Sequence, residues 1–246
     1  MTSIPNNAFK TLEKQVHIWV VNLKNSEKDV PFFRSLLSEE ELNKALAFRY
    51  KKDETCAIIT RGVLRFLSEK YLSIPSNKLQ FKYGAYGKPE YNLNSRLKFN
   101  VSHAANYAVL GFVNNYDFGI DVEYVKRNFD VLDIADNYFS KQEKRALHKI
   151  PENQQTEAFF RGWTRKEAFI KAKSQGLSFP LDAFSISIDS DENATLYETA
   201  WNKSEKNLWR IVPFETHIDY KAAFAVKGKI DGIKYFEFDL RCIANI

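Results

Sequence analysis

Two copies of one helix-start signal, far apart in the chain, constrain the fold more than any other feature. Ser38-Glu-Glu-Glu41 and Ser140-Lys-Gln-Glu143 each place a serine three residues before a glutamate. In that pairing each side chain can satisfy the other residue's backbone N–H at a helix N-terminus. The serines stand 102 positions apart. A longer helical stretch follows each signal, over about 53–72 and 153–174, and short runs rich in β-branched and aromatic residues come next. Phe81 of LQFKYG and Phe184 of FSISI keep nearly the same offset, 103. The order helix, long helix, strands therefore occurs twice. It predicts an α+β fold built by pseudo-twofold duplication. Each of two similar α/β subdomains is a small, mainly antiparallel sheet packed by a long helix, with the active site at their interface. The subdomains are expected over 1–105 and 106–246, joined as one functional unit. VHIWVVNL (16–23) reads as a buried strand, and RLKFNVS, YAVLGFV, FGIDVEYV, LWRIVPF and YKAAFAV as further strands.

The chain of 246 residues carries a net charge of +5 with a pI near 9.0, which favours an anionic partner. Its lysines and arginines are dispersed in nothing longer than pairs such as Lys51-Lys52, so nucleic acid is not the expected partner. Cys56 and Cys242 have no metal-like or disulfide-framework spacing. No apolar run of about 18 residues appears, and MTSIPNNAFKTLEK lacks a signal-peptide core. The expectation is a cytoplasmic protein with reduced thiols and no membrane partner.

The stretch FFRGWTRKEAFIKA (159–172) sets Phe159, Phe160, Trp163 and Ile170 on one stripe of a helix. Glu167 falls inside that stripe, with Lys166 and Lys171 at its borders. A buried carboxylate needs a counter-charge. One candidate is a salt bridge from Glu167 to Lys171, and the other is a cation shared with acids elsewhere. FGIDVEYV supplies those acids, because a strand period of two puts Asp121 and Glu123 on one face. An all-oxygen set suits Mg²⁺, with Mn²⁺ as the alternative. In KFNVSH, Ser102 and His103 could donate hydrogen bonds to phosphate oxygens. In the turn Tyr86-Gly87-Lys88-Pro89, Lys88 could project as another phosphate ligand.

Together YGKP (86–89), FNVSH (99–103), GIDVE (119–123), YFSKQE (138–143) and W-x-x-K-E-A-F-I-K (163–171) resemble the 4′-phosphopantetheinyl transferase superfamily, in its long, monomeric, surfactin-synthetase-activating (Sfp-type) class. The resemblance implies transfer of 4′-phosphopantetheine from coenzyme A to a serine of an acidic acyl or peptidyl carrier protein, releasing 3′,5′-ADP. It implies Asp121, Glu123 and Glu167 as Mg²⁺ ligands. Lys44, Lys88, Ser102, His103 and Lys171 become coenzyme A contacts, with Arg61, Lys51 and Lys52 as candidates for the adenosine end, and Glu167, Lys171 and His103 the catalytic set. The base that takes the serine proton is either Glu167 or a metal-bound water. The first subdomain would bind coenzyme A, and the second would carry the metal and the catalytic helix. One departure stands out: where the family commonly has D-R-x-R, this chain has Asp53-Glu54-Thr55-Cys56.

The segment 125–145 is the expected carrier dock, with Lys126 and Arg127 as a basic rim and Phe129, Val131, Leu132 and Phe139 as an apolar centre. A Mg²⁺-dependent nucleotide pyrophosphate hydrolase and a basic nucleic-acid binder are the rival readings.

Overall fold

The structure is a computed structural model that describes residues 9, 12–126, 130–176 and 179–240. Its first half runs β1 (Gln15–Asn22), α1 (Val30–Leu36), α2 (Glu39–Leu46), α3 (Lys51–Leu72), β2 (Phe81–Tyr83), β3 (Pro89–Tyr91), β4 (Leu97–Ala104) and β5 (Tyr107–Asn114). The second half repeats that order as β6 (Phe118–Tyr124), α4 (Val131–Tyr138), α5 (Lys141–Lys149), α6 (Glu152–Lys173), β7 (Phe184–Ile186), β8 (Leu196–Thr199), β9 (Trp209–Phe214) and β10 (Tyr220–Lys227), and β11 (Gly232–Phe238) follows. The sheets match as well. In one, β5 lies between β1 and β4; in the other, β10 lies between β6 and β9, and all four of these pairings are antiparallel. β11 returns to the first sheet and pairs parallel with β1.

The duplication extends to side chains. Ser38–Glu41 and Ser140–Glu143 both form the full reciprocal cap. α3 and α6 each span 22 residues and end on a left-handed serine, Ser73 (φ 56°) and Ser174 (φ 55°). Glu41 then accepts from Arg61 Nε and Arg65 Nε at 2.6 Å each, while Glu143 accepts from Lys166 Nζ at 2.8 Å. Arg65 reaches on to the carbonyls of Ser76 and Leu79, and Lys166 to those of Leu181 and Phe184. One device, a capping glutamate that holds a buried cation of the long helix, therefore ties each helix to the loop that follows it.

One expectation needs correction. YAVLGFV belongs to the first half, because β5 is hydrogen-bonded between β1 and β4 and cannot leave that sheet. We therefore move the proposed boundary from 105/106 to the turn 115–117. LQFKYG forms the short strand β2, which pairs antiparallel with β3 in a two-stranded sheet of its own. The sequence reading also missed α1, the pairing of β7 with β8, and β11.

The halves meet where β4 runs beside β6 without a backbone ladder. Asn100 Oδ1 stands in for a strand carbonyl and accepts from Ile120 N at 2.8 Å. α6 lies directly on β6 because Gly119 has no side chain; a Cβ there would come within 2.2 Å of the Ala168 carbonyl oxygen. Ser102 and His103, at the end of β4, thereby come close to Asp121 on β6 and to the last turns of α6.

Candidate active site

Strand alternation in β6 sends Phe118, Ile120 and Val122 into the apolar core. It turns Asp121 and Glu123 toward α6, so Asp121 is buried despite its charge. Asp121 Oδ1 accepts from Ser102 Oγ at 2.8 Å and from Lys171 Nζ at 2.6 Å. Lys171 Nζ also donates to Ser102 Oγ at 3.1 Å. Asp121 Oδ2 is buried and has no hydrogen-bond partner among the described residues. Glu123 is half-buried, and burial followed by the Asp121 charge pushes its pKa up to about 7, with Glu167 adding to the rise and Lys171 opposing it. Glu167, one turn before Lys171 on α6, is likewise half-buried. Its pKa is also pushed up to about 7, by burial and then by Asp121, against the opposing Lys171.

Glu167 is thus less buried than the helical stripe implied. Fully buried charges are instead its neighbours Arg165 and Lys166, the second of which the stripe placed only at a border. The salt bridge between Glu167 and Lys171 does not form, because Lys171 reaches across to Asp121 instead. No carboxylate oxygen of Glu167 has a hydrogen-bond or ion-pair partner among the described residues.

These acids suit a hard divalent cation: a buried orphan oxygen on Asp121, and two nearby carboxyls whose pKa values rise partly from mutual repulsion. Among the described residues, no three acidic, histidine or cysteine side chains are already drawn together as a metal cage. The physical reason is that like charges separate, and the Lys171 ammonium takes the inner oxygen of Asp121.

His103 projects from the end of β4 with an exposed outer edge. Partial desolvation and then the Lys171 ammonium lower its pKa from the usual value, against weaker pulls from Asp53 and Asp121. The Lys88 ammonium donates to Phe118 O at 2.9 Å and to Lys171 O at 2.7 Å, two of its three donors. Arg61 is held by Glu41 and stacks over Phe81 at 4.0 Å. Lys44 pairs with Glu40 at 2.7 Å and lies over Tyr83 at 4.1 Å. No contact joins Lys44 or Arg61 to the Asp121 group among the described residues.

In the expected dock, Arg127 and Phe129 lie outside the described residues. Lys126 is exposed, but Val131 and Phe139 are core residues and Leu132 packs partly against them. An amphipathic helix must cover its own core, so Val131 and Phe139 are not available to a partner. The aromatic group at the start of β10 has no local signal in the chain that could have announced it. There Tyr220 meets Tyr107 at 4.9 Å and Tyr124 at 5.2 Å, and His217 lies 5.5 Å from Tyr107.

Comparison with known proteins matches this chain twice. A model described as the 4′-phosphopantetheinyl transferase superfamily covers residues 117–225, and one described as 4′-phosphopantetheinyl transferase, N-terminal, covers 22–113. The chain is 31% identical over 221 residues to 4′-phosphopantetheinyl transferase HetI of Nostoc sp., spanning 88% of this chain and 90% of that protein. It is 30% identical over 171 residues to 4′-phosphopantetheinyl transferase Sfp of Bacillus subtilis, spanning 70% and 75%. Among solved structures, the holo-(acyl-carrier-protein) synthase of Thermotoga maritima matches 46% of this chain and 62% of its own, with a TM-score of 0.36 and 23% identity.

Proposed function

This chain belongs to the 4′-phosphopantetheinyl transferase superfamily, and from that premise we propose that Asp121, Glu123 and Glu167 hold Mg²⁺ for its transfer reaction while Ser102, His103 and Lys171 face the coenzyme A pyrophosphate. Transfer of 4′-phosphopantetheine from coenzyme A to a carrier-protein serine is the family's reaction, and it is this chain's. The observation that supports the site assignment is the buried, partnerless Asp121 Oδ2 beside two carboxyls with pKa values near 7. A bound Mg²⁺ would supply charge neutralisation at the pyrophosphate.

The residues of the chain account for the rest. The serine oxygen attacks the β-phosphorus, the bond from that phosphorus to the bridging oxygen breaks, and 3′,5′-ADP leaves with the bond electrons. The serine hydroxyl proton needs an acceptor whose pKa lies near the working pH. The Glu167 carboxylate, which has no hydrogen-bond partner among the described residues, is our assignment for that base, on its place beside Lys171 on α6. Charge developing on the phosphoryl and leaving oxygens is met by Lys171 and by a protonated His103. Incubating purified enzyme with an apo-carrier protein, coenzyme A and Mg²⁺ should add one phosphopantetheine to a serine, read by mass spectrometry. Coenzyme A hydrolysis without carrier modification would overturn the reading.

His103 makes the binding step pH-dependent. Its pKa is lowered in the free protein, and coenzyme A phosphates would raise it, so binding takes up a proton. The imidazolium contribution is present at low pH and is lost as pH rises through the bound-state pKa. His103→Ala is expected to weaken coenzyme A binding by roughly tenfold and to flatten its decline as pH rises through the bound-state pKa. Calorimetry in buffers of different ionisation enthalpy would detect the loss of proton uptake.

The carrier is proposed to be acidic, and the exposed Lys126 with Arg127 to steer it. Reversing both charges should raise the carrier KM several-fold, more at low salt, with the coenzyme A KM unchanged. A wild-type carrier KM at low ionic strength would put the dock elsewhere. No helix among the described residues is long and apolar enough to cross a membrane.

A further inference from the structure

We propose that Lys88 is a positioning residue, a clamp between the two halves that holds the last turn of α6 and hence Lys171, rather than a ligand for coenzyme A. The inference rests on the reading of Lys171 given above. Lys88 belongs to the first half, in the turn joining β2 to β3, yet both its described partners belong to the second. It donates to Phe118 O at the start of β6 and to Lys171 O at the end of α6. A helix leaves its last carbonyls without helical partners, and here a side chain from another unit supplies one of the donors. The second comes from Ser174 N, which reaches the same Lys171 O at 3.2 Å.

The surroundings fit a fixed strut. Burial, opposed by Glu90 and Asp117 and aided by Lys98, brings the Lys88 pKa down to about 8. No carboxylate lies within ion-pair distance of its ammonium among the described residues. A surface phosphate ligand would instead be solvated and mobile. The same turn is fitted against the segment after α6, where a Cβ on Gly176 would meet Tyr86 Cβ at 2.9 Å. Two carbonyls therefore register the β2–β3 turn, β6 and α6 against one another. Those elements carry Asp121, Glu123, Glu167 and Lys171, so a loosened clamp shifts the catalytic side chains without touching substrate.

A clamp and a ligand differ in which constant changes. With full-length enzyme, Lys88→Met is expected to lower kcat by about tenfold or more, since small misplacements of reacting groups are costly. The coenzyme A Kd should stay within about twofold of wild type by calorimetry, and amide hydrogen exchange across 168–174 should quicken. Lys88→Arg keeps donors that can meet two carbonyls and should recover much of the rate and the protection. If Lys88→Met does not fold, Lys88→Arg carries the test, with coenzyme A Kd near wild type and exchange between the extremes. A Kd raised tenfold with kcat and exchange unchanged would make Lys88 a ligand, and unchanged values throughout would also overturn the clamp. Lys171→Ala serves as control: if it keeps a wild-type kcat, the reading of Lys171 fails, while quickened exchange in Lys88→Met still upholds the clamp.

Discussion

Asp121→Asn and Glu167→Gln are each expected to lower carrier modification by roughly 10³-fold while leaving the protein folded. Both substitutions keep shape and remove one negative charge from a cluster whose members repel. Glu167→Gln is the cleaner case, because no described group bonds to that carboxylate. Its raised pKa also sets the sign of the stability change. A carboxyl whose folded pKa lies above its unfolded value favours the folded state at low pH and loses that contribution as pH rises through the folded pKa. For Glu167 the window runs from about 4.5 to about 7. The metal-free protein should therefore lose stability across that range, and Glu167→Gln should lose less and melt higher than wild type at pH 8. The gain should vanish when Mg²⁺ is added, since the ion stabilises the wild-type cluster and binds the variant more weakly. Asp121→Asn also gives up an ion pair to Lys171, so its stability change should be small in either direction. Near-normal turnover of either variant at saturating Mg²⁺ would remove these acids from the reaction. A lowered melting temperature for metal-free Glu167→Gln at pH 8 would show that the carboxylate has a stabilising partner after all.

Much of this could be read from residues alone, for reasons particular to each. The capping boxes were legible because a serine and a glutamate three apart carry their own local geometry, and both formed in full. Asp121 and Glu123 were legible because strand alternation leaves little choice of face. The failures are long-range. A salt bridge from Glu167 to Lys171 was one of two candidates because helical spacing shows only the helix's own neighbours, whereas the partners of Lys171, Asp121 and Ser102, come from two strands. Lys88 looked like a surface turn lysine because nothing local announces that β6 and α6 close over it. Lys166 was placed at the edge of a stripe because a helical wheel assumes one buried face, while α6 is packed by sheet, loop and helices on most sides. Lys44 was carried over by resemblance and Arg61 was a candidate in place of the family's missing arginines, and neither route could show their contacts within the first half.

Breaking the ion pair between Glu143 and Lys166 should have the largest effect on stability of any single change. Their side chains are 1% and 0% exposed, so whichever partner remains is left as an uncompensated buried charge. Such losses typically cost about 3–5 kcal/mol. Glu143→Ala additionally strips acceptors from Ser140 N and Ile186 N, undoing the cap of α5 and a tie to β7. Lys166→Met leaves the Leu181 and Phe184 carbonyls without their cation. The pKa directions show how finely the pair is balanced. Burial raises that of Glu143 and lowers that of Lys166, so desolvation opposes the charged form of each despite the partner. The counterpart in the first half differs. Burial alone would raise the Glu41 pKa, but the Arg65 hydrogen bond and the Arg61 charge hold it below the usual value. Glu41 should therefore support folding above its unfolded pKa and lose that contribution on acidification. Because desolvation is relieved when both charges go, Glu143→Met with Lys166→Met together should cost less than the two single changes added, by about 2 kcal/mol or more. Urea denaturation of the four proteins would measure that coupling. Additive single costs would mean that the two residues act separately on α6, and that Lys166, beside Glu167 in sequence, does not depend on Glu143 to hold the catalytic helix in register.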